Sequence, residues 1–347
     1  MPHKRLMPPR ITYVILALAL SVLACALPAG GPTADNTART DTPPVKVPRA
    51  SPAGTVHPPA AGQQKYRTVH QSDPERSVVS DLSGQWLATF TNGAYTVTLA
   101  GPERTFTDPN GRNPVVSHVW VRTLPRPFDG QVDQDWLNKA LADSSPDIFA
   151  IAMQYTAGAP LVQNGQGLQI AGPASYGPVK ADDTREEGGD FNDYLGVAWK
   201  FGGKEHAPKA DFLHSLDCSG FMRLVWGYRG GLPLSYSPDG GQSIPRHSWE
   251  ILANAPGVVV IADDETQVSD FSKLEAGDLV FFHAKKEEHD PQIDHVGLFL
   301  GKDSGGHYRF ISSRQTINGP TFGDVGGASL LDGGGLYAKS FRAARRF

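Results

Sequence analysis

The chain has 347 residues, of which 39% are hydrophobic and 20% charged, with a formal net charge of -4 and a pI of about 6.3. This composition suits a soluble globular protein of two or three domains and lacks the basic footprint of a nucleic-acid binder. Two cysteines, Cys25 and Cys218, are too few for a disulfide framework.

Residues 1–25 read as an export signal. Lys4, Arg5 and Arg10 supply positive charge, and Ile11 to Leu23 is apolar but too short for a confident spanning helix. Val22-Leu23-Ala24-Cys25 resembles a bacterial lipobox, in which Cys25 is lipidated; simple cleavage around Ala24-Cys25-Ala26 is the alternative. Either route makes the mature protein extracytoplasmic, as a membrane-anchored lipoprotein or a secreted protein. Residues 26–65 are rich in Pro, Ala, Thr and Gly. Such a segment buries too little surface to fold and reads as a disordered tether.

Residues 66–175 suggest a small β-rich α+β accessory domain. Gln85 to Phe90 and Tyr95 to Leu99 alternate around Asn92-Gly93, a hairpin signal. Val116 to Val121 predicts a third strand, and Asp133 to Leu141 a helix with Leu137 and Leu141 on one face. Phe149 to Tyr155 is compatible with strand or helix, and Leu168-Gln169-Ile170 with another hairpin.

Residues 176–347 carry the chemistry. Asp183 to Asp190 is an acidic loop, followed by Trp199-Lys200-Phe201-Gly202-Gly203 and then the segment around Cys218. Strands are predicted at Leu279 to Phe282, His295 to Leu300 and Tyr308 to Ser313. A helix followed by antiparallel strands is an α+β arrangement.

An internal cysteine without a partner is either a small buried hydrophobe or a reactive thiol. Asp217 can cap a helix starting at Cys218 or Ser219, with Phe221, Leu224, Val225 and Tyr228 on its apolar face and Gly230-Gly231 at its end. The positive end of that helix is expected to lower the thiol pKa. His295 opens a strand in which Val296, Leu298 and Leu300 face one side and Gly297 and Phe299 share the side of His295. An imidazole there is a candidate general base. Such a pair needs a third polar group to orient the ring; Ser312 is the first choice, with Ser313 and His307 as rivals. His283, His289, Asp290, Asp294 and His295 cluster locally, but their spacing fits no zinc pattern, so no metal and no cofactor is expected.

Asp217-Cys218-Ser219-Gly220-Phe221, Ala276-Gly277-Asp278-Leu279-Val280-Phe281-Phe282 and His295-Val296-Gly297-Leu298-Phe299-Leu300-Gly301 occur in that order. Together they resemble the NlpC-type cell-wall cysteine peptidases of the papain superfamily, over roughly residues 190–315. The resemblance implies a papain-like α+β domain, a Cys helix packed on an antiparallel sheet that carries His. It also implies hydrolysis of peptidoglycan stem peptides, commonly between D-Glu and a diamino acid. Cys218 then corresponds to the nucleophile and His295 to the base, while Asp217 and Ser219 correspond to residues that bind the free amine and backbone of the stem peptide. Ser312 stands where the family usually has His, Asn or Gln. Trp199-Lys200-Phe201-Gly202-Gly203 stands where it often has Tyr-x-Trp-Gly-Gly, which makes Trp199 a substrate-binding candidate and leaves Tyr194 to replace the missing tyrosine.

The expected activity is a cysteine endopeptidase acting on stem peptides. The alternatives are a non-catalytic peptidoglycan-binding module and an amidase or acyltransferase using the same chemistry. The expected partner is peptidoglycan, with no nucleic acid, membrane contact only through the N-terminal lipid anchor, and a monomeric state.

Overall fold

The computed structural model describes residues 65–285 and 293–347. The expected export signal, Cys25, the expected tether up to residue 64, His289 and Asp290 lie outside the described residues. Five strands, β1 (Tyr66–Gln71), β2 (Arg76–Asp81), β3 (Trp86–Thr91), β4 (Thr96–Phe106) and β5 (Val115–Thr123), form an antiparallel meander in chain order. The hairpin at Asn92-Gly93 joins β3 to β4, with Gly93 at φ 79°, where a side chain would be strained. Val79, Ala88, Phe90, Val97 and Leu99 point inward and pack on Phe128 and on Leu137 of α1 (Gln134–Ala142). Asp133 caps that helix through the amides of Asp135 and Trp136. The β1–β2 pair is absent from the sequence reading, because β1 is nearly all exposed and shows no buried stripe.

Phe149 to Tyr155 resolves mainly as helix, α2 (Ile148–Met153). Its cap, Asp147, accepts the Ala150 and Val121 amides at 3.0 and 2.8 Å and pairs with Arg104 at 2.6 Å. This ties α2 to β5. A short hairpin, β6 (Val162–Gln163) and β7 (Gln169–Ala171), follows. Next come α3 (Phe191–Leu195) and the hairpin of β8 (Trp199–Phe201) with β9 (Lys204–His206).

The helix at the cysteine, α4 (Cys218–Met222), continues as a π-helical stretch through Arg229. After α5 (Ser248–Asn254) come β10 (Val258–Ile261), β11 (Leu279–Phe282), β12 (His295–Lys302), β13 (Tyr308–Arg314), β14 (Gly319–Thr321), α6 (Leu336–Ser340) and β15 (Phe341–Arg346). The six strands pair antiparallel in the order β10-β15-β11-β12-β13-β14. Val296, Leu298 and Leu300 join Phe221, Leu224 and Val225 in the main core. Phe299 belongs to a second cluster with Phe282, Phe310, Tyr337 and Phe341. Burial of each such side chain contributes roughly 1.5–3 kcal/mol, so the alternation of β12 holds it between two apolar layers.

The two large sheets interlock. Arg346 Nη1 donates to Thr91 Oγ1 at 2.6 Å, the Thr96 amide donates to the Phe347 carbonyl at 2.7 Å, and Arg76 pairs with Glu275 at 2.7 Å. At Gly277, φ is 101° and a Cβ would fall 2.8 Å from Val121 Cγ1. A helix-and-sheet molecule with antiparallel sheets is α+β. Among the described residues, no helix is long and apolar enough to cross a membrane.

Candidate active site

The site is built on the start of α4. Asp217 Oδ1 accepts the Gly220 amide at 2.8 Å and its carbonyl accepts the Phe221 amide at 2.9 Å. The Phe221 bond is the first within the helix; with the Asp217 amide donating to the Gly189 carbonyl at 3.0 Å, the unpaired N–H groups left at the helix start are those of Cys218 and Ser219. Gly220 permits a close crossing, because a Cβ there would lie 2.1 Å from the Gly189 carbonyl oxygen.

Cys218 is 2% exposed. Its sulfur lies 3.9 Å from the Asp294 carbonyl and receives the Val296 amide. Asp294 and the start of β12 thus cradle the thiol, and β12 also presents His295. The His295 ring is 8% exposed, with Nε2 3.0 Å from Ser312 Oγ and its face against Phe282 and Tyr337, at centroid distances of 5.8 and 5.2 Å. With Nε2 engaged, Nδ1 is the nitrogen left for a thiol proton.

The expectation of a lowered thiol pKa is corrected. Burial pushes the Cys218 thiol up, and the Asp217 and Glu187 carboxylates add to the shift. Desolvation outweighs the helix end because it penalises the charged thiolate directly. Burial likewise disfavours imidazolium and holds His295 down to about 3, helped by the positive charges of Arg314 and Lys285. Both shifts run toward the uncharged pair, thiol and imidazole.

The rivals for the third position lie elsewhere. Ser313 Oγ donates to the Leu216 carbonyl at 2.5 Å, and His307 pairs with Asp332 at 2.8 Å on the surface. Tyr194 is buried, donates to the Gly172 carbonyl at 2.9 Å and packs on Tyr155 and His214. Trp199 packs edge-on against Phe191 and Tyr228. Both pack in an aromatic part of the core, and neither lines the cleft beside Cys218. Among the described residues, no group of three His, Cys, Asp or Glu could hold a metal ion.

Beside Cys218 opens a cleft of about 380 Å³, lined among others by Glu187, Asp217, Ser219, Arg246, Ser248 and Lys285. Arg246 is 6% exposed; its Nη2 lies 2.5 Å from Asp217 Oδ2 and its Nη1 donates to Ser219 Oγ at 2.6 Å. Behind it, Asp190 Oδ2 is 3.8 Å from Arg246 Nε, and Asp190 Oδ1 is 2.9 Å from Arg223 Nε. Two arginines and two aspartates thus balance in a buried chain. Glu187 and Lys285 pair at 3.0 Å on the cleft wall. Tyr176 is also buried, close enough for Cys218 and Asp217 to help raise its phenol pKa. Arg246, Ser248, Glu187, Lys285 and Tyr176 escape the sequence reading, because no local motif announces them.

Residues 196–320 match the NlpC/P60 family. This segment is an NlpC/P60 domain. A solved structure from Staphylococcus aureus, described as similar to a lipoprotein of the NLP/P60 family, aligns at 18% identity over 65% of this chain and 50% of that one, with a TM-score of 0.26. The chain thus spans half the length of that protein. No curated protein matches. The matched NlpC/P60 segment contains Cys218, Arg246, His295 and Ser312; Tyr176 and Glu187 precede it and Tyr337 follows it.

Proposed function

We propose that the protein is a cysteine peptidase that hydrolyses an amide bond in peptidoglycan stem peptides. The observation that carries this reading is the cradling of Cys218 by the strand start that presents His295, beside a cleft of both charges. As the sulfur attacks the amide carbonyl, its proton passes to His295 Nδ1 and the carbonyl π electrons move to oxygen. The Cys218 and Ser219 amides face that developing charge. Collapse breaks the C–N bond, and the leaving amine takes the proton from His295. Water then adds to the thioester, giving its proton to His295, which returns it to the departing sulfur.

The cleft suits a zwitterionic peptide. Glu187 and Asp217 offer carboxylates to an ammonium group; Arg246, with Ser219 and Ser248 beside it, offers donors to a carboxylate. A D-Glu–diamino acid bond presents such charges close together. Residues 66–175 act as an accessory domain to residues 176–347, and the protein works outside the cytoplasm as a lipoprotein or secreted enzyme.

The test is mass spectrometry of purified muropeptides incubated with the protein and with Cys218→Ala. Fragments formed by the wild type alone are expected, and their masses identify the bond. Intact muropeptides with saturable binding that survives Cys218→Ala would replace this reading by a non-catalytic wall-binding module, which the burial of the thiol favours. Acyl transfer to an added amine would replace it by an acyltransferase.

A further inference from the structure

Behind His295 lie a second ring and a guanidinium that the chemistry above does not use. Tyr337, on α6, is 6% exposed, and its ring centroid is 5.2 Å from that of His295 at an interplanar angle of 32°. Arg314, at the end of β13, is 2% exposed, and its guanidinium carbon lies 5.1 Å from the centre of the Tyr337 ring. The order is imidazole, phenol, guanidinium. The Arg314 fork is held by the Gly327 carbonyl and Ser329 Oγ, and more loosely by the Thr321 carbonyl at 3.4 Å. Among the described residues it has no carboxylate in ion-pair contact. Arg314 follows Ser312 by two residues and so shares its face of β13.

Every element around His295 leaves the ring short of negative charge. From α4 comes the Cys218 thiol, while Asp217 is engaged by Arg246. From beyond β11 come His283 and Lys285; Lys285 is offset by Glu187. Asp294, the nearest carboxylate in sequence, turns to the Ala284 and Lys285 amides at 3.0 and 2.7 Å. From β13 come a neutral serine and Arg314, and from α6 a neutral phenol. A second cation on the ring would meet Arg314 across one aromatic layer in a poorly screened interior.

We propose that Arg314 and Tyr337 are positioning residues that keep His295 a neutral imidazole, so that Cys218 loses its proton during attack and not beforehand as a thiolate–imidazolium pair. The proposal rests on the peptidase reading for its purpose, but its geometry is independent of any substrate. A carboxylate or imidazole at the third position would stabilise the imidazolium; Ser312 with Arg314 behind it does the opposite. The burial of Tyr337 carries the effect, because the ring holds the cation near the imidazole while excluding water between them.

The experiment is the pH dependence of Cys218 alkylation by iodoacetamide in the full-length protein, with His295 followed by NMR and the melting temperature recorded. No muropeptide is needed, so its outcome is separable from the peptidase test. The wild type is expected to alkylate slowly below neutrality and to rise with a single alkaline step, with the His295 ring titrating near 3. In Arg314→Gln the ring titration moves up, with burial still holding it below 6.5, and alkylation at pH 5–6 rises by about tenfold for each unit of change. Arg314→Lys retains the wild-type profile, since it keeps the charge. A folded Arg314→Gln whose profile superimposes on the wild type overturns the proposal. So does a wild-type plateau of fast alkylation at pH 5–6, a result that requires no variant to fold.

Discussion

Asp217 shows how much one side chain carries here. It caps the helix that begins at Cys218, accepts from Ser219 Oγ at 3.2 Å and neutralises Arg246. The capping role was legible because cap and helix are adjacent in sequence. The pairing with Arg246 was not, because that residue arrives 29 positions later with no periodicity to mark it. Cys218, His295 and Ser312 were nominated from strand and helix patterns, but the burial that raises the thiol is a tertiary property invisible to them. Arg246→Ala should leave two buried carboxylates short of a cation and cost about 3–5 kcal/mol, read from urea midpoints; Arg246→Lys should recover part of this. His295 gives a pH signature. Its folded pKa is depressed, so the folded state rejects a proton that the unfolded chain accepts. The stability it contributes is complete above about 6.5 and is lost as pH falls toward 3. Melting temperatures between pH 7 and 4 should fall, and His295→Gln should flatten that slope.

Among the elements, the Cys218 helix is the most exacting. Gly220→Ala would push a methyl into the Gly189 carbonyl and the Asp190 Cα, at 2.1 and 3.0 Å. Both are backbone, so the helix start must move. A loss of roughly 1–3 kcal/mol is expected, together with a fall in kcat if the peptidase reading holds; unchanged stability and rate would show that the crossing has slack. β11, β12 and β13 were legible as short apolar or alternating runs. β15 was not. Phe341-Arg342-Ala343-Ala344-Arg345-Arg346 looks like a charged surface strand, yet Arg345 and Arg346 are buried. Arg345 donates to carbonyls at the end of α5, including Leu252 at 3.0 Å and Ala253 at 3.2 Å. Hydrophobic pattern counts such arginines as outside because it cannot see their acceptors.

At the scale of the molecule, Arg346 is the fastener. It pairs with Asp278 at 2.7 Å and Glu275 at 3.2 Å within one sheet and reaches Thr91 of the other. Arg346→Met should strand the fully buried Asp278, lower the melting temperature by an amount equivalent to about 3–5 kcal/mol, and open the junction to limited proteolysis. A variant that loses stability yet resists proteolysis at that junction would assign Arg346 to its own sheet alone. The placement of β15 has a further consequence, in time. It is the last described strand in chain order, yet it lies between β10 and β11. Pairings so distant along the chain form late, and a chain is made from its N-terminus at a finite pace. The sheet that carries His295 therefore remains open until β15 has been synthesised and inserted. A nascent or interrupted chain would hold Cys218 without its finished scaffold, and on the peptidase reading proposed above cutting would begin only once β15 is in place.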